Sequence, residues 1–143
     1  MSTIYLARTI DAGKERETEE IEKMVSELLT EMGHVVYRPG QAWAVPVVPE
    51  PSQAVAVCAV NEAAREASEL VLAVVSNSMR SIGVPAEVGA SLSEGRRVAF
   101  IDVSDAAILP RSYVLAAWFV ACPVFKFHGS KLDQLKQFLR GVA

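Results

Sequence analysis

The chain has 143 residues, which is enough for one ordinary domain and too few for two. Apolar residues make up 51% of it and charged residues 22%, a composition typical of a folded domain and not of a disordered chain. The net charge of -3 argues against a duplex-binding protein, because such proteins normally have a basic surface. We therefore expect one domain over residues 1–143 and no nucleic-acid partner.

Further classes of protein are disfavoured by local features. The two cysteines, Cys58 and Cys122, stand in apolar stretches and are predicted to be buried free thiols. Neither histidine has neighbours at metal-ligand spacing, so we expect no metal site. The N-terminus does not resemble a signal peptide, and no apolar run approaches the ~20 residues of a membrane helix. These features predict a cytoplasmic protein that does not bind membranes.

The first third of the chain begins an alternation of strands and helices. Thr3 to Ala7 is a short β-prone run, and apolar residues from Ile21 to Met32 recur at helical spacing up to Gly33, the expected C′ glycine. His34 to Tyr37 is predicted as the second strand. Residues 38–51 hold four of the seven prolines and are predicted to be a long functional loop.

The alternation continues to the end of the chain. The uniformly apolar run at 70–75 is typical of a central strand in a parallel sheet. The predicted elements after the long loop are a helix capped by Ser52 and ending at Ala67, a strand from Leu70 to Val75, a helix with Pro85 at its first position and ending at Gly95, a strand from Arg97 to Val103, a short helix from Tyr113 to Ala121, a strand from Pro123 to Phe127, and a helix capped by Ser130 and stopped at Gly141.

This order predicts an α/β domain. Strands alternating with helices imply right-handed βαβ units, and hence a three-layer, doubly wound domain with about five mainly parallel strands. Ligands of such domains bind at the carboxyl ends of the strands, near the switch point. The loops at 8–14, 38–51, 76–87 and 102–111 are therefore the candidate binding segments.

The loop after the first strand is a candidate anion site. Gly13 lies just before a helix, where backbone N–H groups can be presented to an anion, and Arg8, Thr9 and Lys14 add donors and positive charge. The loop matches neither a Walker loop nor a dinucleotide motif, so an ordinary solvated turn is the alternative.

The segment SNSMRSIGVPAEVGAS, after the central strand, carries the strongest local signal. Glu87 is expected in the first turn of a helix, where the positive helix end keeps a carboxylate ionised and able to act as nucleophile or electrostatic stabiliser. A capping-box glutamate is the alternative, although Val84 takes the place where that box needs Ser or Thr. Gly83 would allow close backbone approach, and Ser81 could donate to a phosphate.

Other polar residues have a structural and a functional interpretation. Asn61, Arg65 and Glu69 share one helix face, and we expect a solvated face with an Arg65–Glu69 pair. Asp102 ends the fourth strand, where it could face a ligand or form a turn. Trp43 could stack on a planar base or pack over the core.

Four stretches together resemble the nucleoside 2-deoxyribosyltransferase family and the related 2′-deoxynucleoside 5′-monophosphate N-hydrolases. They are IYLARTIDAG, GHVVYRP, NEAAREASELVLAVVS and GVPAEVGASLSEGRRVAF, and the resemblance covers roughly Ile4 to Asp102. The resemblance implies a flavodoxin-like fold and an enzyme that cleaves the N-glycosidic bond of a small-molecule deoxynucleoside or deoxynucleotide without a cofactor.

The resemblance also implies roles for individual residues. Glu87 would attack C1′ and form a covalent deoxyribosyl-enzyme, as the carboxylate nucleophile does in retaining glycosidases. Asn61 stands where the family usually has an aspartate; it can orient the sugar or base but cannot donate a proton as an acid. The first loop and Ser81 would hold a 5′-phosphate. The full set of implied substrate contacts is Tyr5, Arg8, Thr9, Ile10, Gly13, Lys14, Trp43, Ser81, Gly83 and Asp102.

The leading hypothesis is thus an N-hydrolase. The alternatives are a deoxyribosyltransferase that exchanges nucleobases, a non-catalytic nucleotide-binding module, and a plain interaction protein. The resemblance further implies a homodimer or higher homo-oligomer whose sites are completed by a neighbouring subunit. The segment from Ser112 to Phe119, with Tyr113 and Trp118, is the candidate interface, and core packing is the alternative for its aromatic residues.

Overall fold

A computed structural model of the chain describes residues 2–9, 15–39, 50–76, 83–104 and 113–143. Within these ranges, five strands alternate with five helices. They are β1 (Thr3–Arg8), α1 (Glu15–Glu31), β2 (Val35–Tyr37), α2 (Pro51–Ala67), β3 (Leu70–Val75), α3 (Gly83–Ser93), β4 (Arg97–Asp102), α4 (Tyr113–Ala121), β5 (Val124–Lys126) and α5 (Leu132–Val142).

The strands form one parallel sheet in the order β2-β1-β3-β4-β5. Chain order reverses between β1 and β3, so the switch point lies between these two strands. This order is the flavodoxin-like one, and it confirms the predicted α/β fold class. In the register of the sheet, Tyr5 pairs with Tyr37 on one side and with Val71 on the other.

Side chains alternate between two buried faces along each central strand. The first face, here the α1 face, packs against α1 and α5 and includes Leu6 and Leu72. The second face, here the α3 face, packs against α2, α3 and α4 and includes Tyr5, Val71 and Phe100. The alternation therefore places Tyr5 beneath α2 and α3, and the same rule sends Arg8 to the α1 face.

The predicted serine caps are wrong. The N-cap of α2 is Glu50, whose backbone N–H donates to the side-chain oxygen of Gln53 at 3.2 Å, so Ser52 lies inside the helix. The N-cap of α5 is Lys131, and the Ser130 hydroxyl donates instead to the backbone carbonyl of Lys126. In both cases a glutamine three residues into the helix accepts from the N-cap backbone N–H, which fixes the start of the helix.

Two other helix boundaries also differ from the predicted ones. Helix α3 begins at Gly83 and ends at Ser93, so Pro85 is its third residue, not its first. Helix α5 continues through Gly141 to Val142, whose buried side chain joins the core on the α1 face. The C′ position of α1 is confirmed, since Gly33 has a φ of 89°, a left-handed conformation that favours glycine.

The aromatic residues of α4 serve the core. The rings of Trp118 and Phe119 lie 6.4 and 5.2 Å, centroid to centroid, from that of Phe100 on β4. Core packing is therefore the correct interpretation of these two residues. The large apolar residues that α4 leaves exposed are Val114 and Val120, and the homo-oligomer remains a prediction.

The cysteine expectation needs correction. Both thiols are free, but Cys58 is exposed and Cys122 half-buried, because Cys58 lies on the part of α2 that faces a cleft instead of the core. Among the described residues, no three or more His, Cys, Asp or Glu side chains come together as a metal site. None of the described helices combines the length and apolar character needed to cross a membrane.

Candidate functional site

A cleft of about 350 Å³ opens on the α3 face of the sheet, between α2 and α3. Its α2 wall consists of residues spaced three or four apart, which share one helix face. Tyr5 of β1 forms the floor. The complete lining is Tyr5, Cys58, Asn61, Glu62, Arg65, Ala86, Glu87 and Ala90.

The carboxyl group of Glu87 is held by a hydrogen bond from the sheet. The Tyr5 hydroxyl donates to Glu87 Oε1 at 2.8 Å. Burial raises the pKa of Tyr5 far above its ordinary value, and the nearby Glu87 raises it further, so this hydroxyl stays protonated and remains a donor. One carboxyl oxygen of Glu87 is thereby fixed against the floor of the cleft.

The position of Glu87 differs from the expected one. It is the fifth residue of α3, beyond the first turn where the helix dipole acts most strongly. Burial raises its pKa above the ordinary value, while the hydrogen bond from Tyr5 and the positive charge of Arg65 act in the opposite direction. Desolvation, and not the helix end, is thus the main influence on the charge state of this carboxyl group.

The amide of Asn61 is oriented by a second tyrosine. The Tyr37 hydroxyl donates to Asn61 Oδ1 at 2.8 Å, which orients the amide and leaves its N–H₂ group and the second lone pair of Oδ1 to a ligand in the cleft. The rings of Tyr5 and Tyr37 are stacked with centroids 5.6 Å apart. Two neighbouring strands thus present paired tyrosines, and each tyrosine holds one polar side chain of the cleft.

Arg65 is buried, and the predicted solvated Arg65–Glu69 pair is wrong. Its side chain is 2% exposed and faces α3, where it donates to both carboxylate oxygens of Glu94 at 3.1 and 3.2 Å and to Ser91 Oγ at 3.0 Å. Arg65, followed by Arg96, lowers the pKa of Glu94 to about 2. The bidentate contact ties α2 to α3 along one side of the cleft.

Arg8 and Thr9 lie at the end of β1. Arg8 Nε is 2.6 Å from Glu22 Oε2, and Arg38 donates to the other oxygen of the same buried carboxylate at 2.9 Å. Arg8 Nη1 and Thr9 Oγ1 are buried and have no hydrogen-bond partner among the described residues. This cluster is on the α1 face, so Arg8 does not line the cleft that contains Glu87.

Asp102 is also separate from the cleft lining. Its Oδ1 accepts from the backbone N–H of Ser104 at 2.9 Å, and its Oδ2 pairs with Lys126 Nζ of β5. These contacts give Asp102 the turn role that was one of its two interpretations. Gly83 is the first residue of α3. The remaining predicted contacts, Ile10, Gly13, Lys14, Trp43 and Ser81, lie outside the described residues.

The cleft therefore unites three of the predicted catalytic and substrate-binding residues, Tyr5, Asn61 and Glu87. It also contains a contribution that the sequence alone did not indicate, the hydroxyl of Tyr37 on Asn61. The signal that could have identified it is a tyrosine at the end of the predicted strand β2, which the sheet register pairs directly with Tyr5.

Comparisons with known proteins support the fold. No family model matches the chain, and no match is found among curated proteins. Among solved structures, a 2-deoxyribosyltransferase from the psychrotolerant bacterium Bacillus psychrosaccharolyticus matches with a TM-score of 0.65 and 15% identity, over 94% of this chain and 96% of that one. A conserved protein from Enterococcus faecalis V583 matches with a TM-score of 0.68 and 15% identity, over 99% and 98% of the two chains. At this identity the likeness establishes a shared fold.

Replacing Glu87 with glutamine should stabilise the protein at neutral pH. The raised pKa means that the folded state binds more protons than the unfolded chain at pH values between the unfolded value, near 4.5, and the folded one. Ionised Glu87 therefore costs stability above this range. Glutamine avoids that cost and can still accept from Tyr5.

The measurement is the melting temperature of the wild-type protein and Glu87→Gln between pH 4 and pH 8. The advantage of the variant should grow as the pH rises through the folded pKa of Glu87 and disappear in acid. Glu27→Gln, on the exposed side of α1, is the matched control and should show no such trend. A Glu87→Gln protein that melts below the wild type at neutral pH would contradict this account.

Proposed function

We propose that the protein cleaves the N-glycosidic bond of a 2′-deoxynucleoside or of its 5′-monophosphate, with Glu87 as the nucleophile. The observation that carries this proposal is the Glu87 carboxyl group held by the Tyr5 hydroxyl in a cleft whose other wall presents the oriented amide of Asn61. The sequence resemblance points the same way, as does a 2-deoxyribosyltransferase among the proteins of this fold.

The chemistry needs one free carboxylate oxygen. In the first step this oxygen of Glu87 attacks C1′, the C1′–N bond breaks, and the base leaves with the electron pair and takes up a proton. In the second step a water oxygen attacks C1′, the sugar is released, the water loses a proton, and the Glu87 carboxylate returns. With an acceptor base in place of water, the same intermediate gives a new nucleoside.

The electrostatics of the cleft suit such a nucleophile. A carboxylate whose pKa is raised by burial is more basic and less solvated than one in water, and both properties favour attack on carbon. The Tyr5 hydrogen bond opposes full protonation and fixes the direction of the carboxyl group. The reacting form is the ionised one, so we expect the rate to rise with pH through the pKa of Glu87.

The substrate's phosphate, where it has one, would bind at the carboxyl end of β1. The buried donors Arg8 Nη1 and Thr9 Oγ1, which lack partners among the described residues, support this assignment. Gly13, Lys14 and Ser81 are the further phosphate contacts that the resemblance implies. We also propose a homo-oligomer, which is supported by the exposed apolar residues Val55 and Val60 on the helix that bears Asn61.

One observation favours a second candidate, a nucleotide-binding module without activity. Asn61 bears an amide where an acid would assist the leaving base, and its oxygen is already occupied by the Tyr37 hydroxyl. Such a module would bind a deoxynucleotide in the same cleft. It would raise the melting temperature with nucleotide but release no base at any pH.

A panel of deoxynucleosides and deoxynucleoside 5′-monophosphates, followed for free base, tests the proposal. Glu87→Ala should lower the rate of base release by at least about a thousandfold, because the covalent route is lost. Glu27→Ala is the control for an exposed helical glutamate. Parallel assays with an acceptor base separate a transferase, which forms the new nucleoside, from a hydrolase, which forms the free sugar.

Three results would decide between the candidates. Base release that depends on Glu87 supports the proposed reaction, and release that is unchanged in Glu87→Ala contradicts it. Ligand-induced thermal stabilisation without any base release would instead identify the binding module.

Asn61→Asp should accelerate base release. The aspartate would keep the acceptor for the Tyr37 hydroxyl and, when protonated, would give the departing base the proton that the amide cannot supply. We expect an increase on the order of a hundredfold for bases that leave as neutral species. Asn61→Ala, which has neither amide nor acid, is the matched control. Equal rates for Asn61→Asp and wild type would show that the proton comes from another source.

A further inference from the structure

The buried guanidinium of Arg65 is not used by the proposed reaction. It contacts neither the Glu87 carboxyl group nor the Asn61 amide directly, yet it lines the same cleft and is 2% exposed. Burying an arginine costs free energy of folding unless its charge is paired and its N–H groups are hydrogen-bonded. We therefore asked what this buried charge does beside the cleft.

Arg65 and its partner Ser91 each lie one helical turn after one of the two functional side chains. Arg65 is four residues after Asn61 on α2, and Ser91 is four residues after Glu87 on α3. Arg65 Nη1 donates to Ser91 Oγ at 3.0 Å, and the same hydroxyl donates to the backbone carbonyl of Glu87 at 2.7 Å. A continuous chain of hydrogen bonds thus runs from α2 to the turn of α3 that carries Glu87.

The bidentate contact of Arg65 with Glu94 gives the link between α2 and α3 a defined geometry. Both terminal nitrogens of Arg65 bind the Glu94 carboxylate, and Arg96 holds the same carboxylate from its other side at 2.7 Å. A planar guanidinium can make two parallel bonds to the carboxylate and a third to the hydroxyl, which a lysine ammonium cannot do in the same plane. The spacing of α2 and α3 next to the cleft is thereby fixed.

We propose that Arg65 is a positioning residue for Glu87, which sets the separation of the Asn61 and Glu87 walls through Ser91 and Glu94. The proposal rests on the proposed function for its catalytic consequence. The same geometry brings the positive charge of Arg65 close enough to lower the pKa of the Glu87 carboxyl group, an effect that can be measured without any substrate.

Charged and titratable groups lie around the cleft on several of the elements packed against Glu87. The Tyr5 hydroxyl donates to it directly, and the positive charge of Arg65 lowers its pKa against the effect of burial. The acidic neighbours of Arg65 on α2 are 3.7 and 4.0 Å from its Nη2 and are half or more exposed, so solvent screens them. The groups around the cleft are Tyr5 of β1, Tyr37 of β2, Cys58, Glu62, Arg65 and Glu66 of α2, and Glu94 and Arg96 at the end of α3.

The test follows the side-chain carboxyl resonance of Glu87 in carbon-13 glutamate-labelled protein during a pH titration, with the signal assigned from its loss in Glu87→Gln. Arg65→Met removes the charge and should raise the Glu87 midpoint by at least about 0.5 pH units. Arg65→Lys keeps the charge and should restore most of the wild-type midpoint. Arg16→Met, at an exposed pair with Glu20, is the matched control and should leave the midpoint unchanged.

The same variants, assayed for base release, test the positioning role. Both Arg65→Met and Arg65→Lys should lower kcat more than they raise KM. Neither side chain can form the bidentate contact with Glu94 and the hydrogen bond to Ser91 at the same time. If Arg65→Met does not fold, Glu94→Gln takes its place; it keeps an acceptor for Arg65 but removes a negative charge, and the Glu87 midpoint should then fall.

The outcomes separate the two proposals. A folded Arg65→Met protein with an unchanged kcat or an unchanged Glu87 midpoint overturns the role of Arg65, and so does a Glu94→Gln protein whose midpoint does not fall. Wild-type protein that releases no base, with midpoints that shift as expected, overturns the proposed function while the control of Glu87 by Arg65 stands.

Discussion

The hydrogen bond between the Tyr5 hydroxyl and Glu87 Oε1 joins the sheet to the helix that bears the proposed nucleophile. It exists because side chains alternate along β1, which places Tyr5 on the α3 face between residues of the α1 face. Burial disfavours the charged form of Glu87, and the phenol opposes that penalty with a directed donor. The cleft can therefore hold a carboxylate that is poorly solvated and still oriented. Tyr37, at the paired position of β2, gives Asn61 the same kind of support.

The alternation that creates the cleft also divides the charged residues of β1 and its neighbours between two faces. Glu22 and its arginines, Arg8 and Arg38, lie on the α1 face, while Glu87 and Arg65 lie on the α3 face. A ligand that used both clusters would have to cross the carboxyl edge of the sheet at the switch point between β1 and β3. A nucleotide carries its phosphate and its glycosidic bond on different carbons of the sugar, C5′ and C1′, which is the arrangement that the proposed function needs.

Much of the fold was predictable from local sequence patterns. The parts of the site that could not be predicted depend on contacts between residues far apart in the sequence. The apolar run of β3 and the strand–helix alternation indicated the parallel sheet, and the segment around Glu87 indicated the main candidate residue. The Arg65–Glu94 contact joins residues 29 positions apart, so helical spacing suggested the nearer Glu69 instead. The two serine caps were predicted wrongly for a local reason. Glutamine side chains inside α2 and α5 accept hydrogen bonds from the backbone N–H groups of Glu50 and Lys131, which makes these two residues the N-caps.

The central claim is that Glu87 forms a covalent bond to the sugar, and a trapped adduct tests it most directly. A nucleoside with fluorine at its 2′ carbon slows the release of the glycosyl-enzyme, because fluorine destabilises the positive charge that develops at C1′. Intact-mass and peptide mass spectrometry after incubation would locate the adduct. We predict one added fluorinated sugar on the tryptic peptide 81–96, with fragmentation that assigns it to Glu87 and not to Glu94. Release of free base without any adduct on Glu87, or an adduct on another residue, would contradict the account.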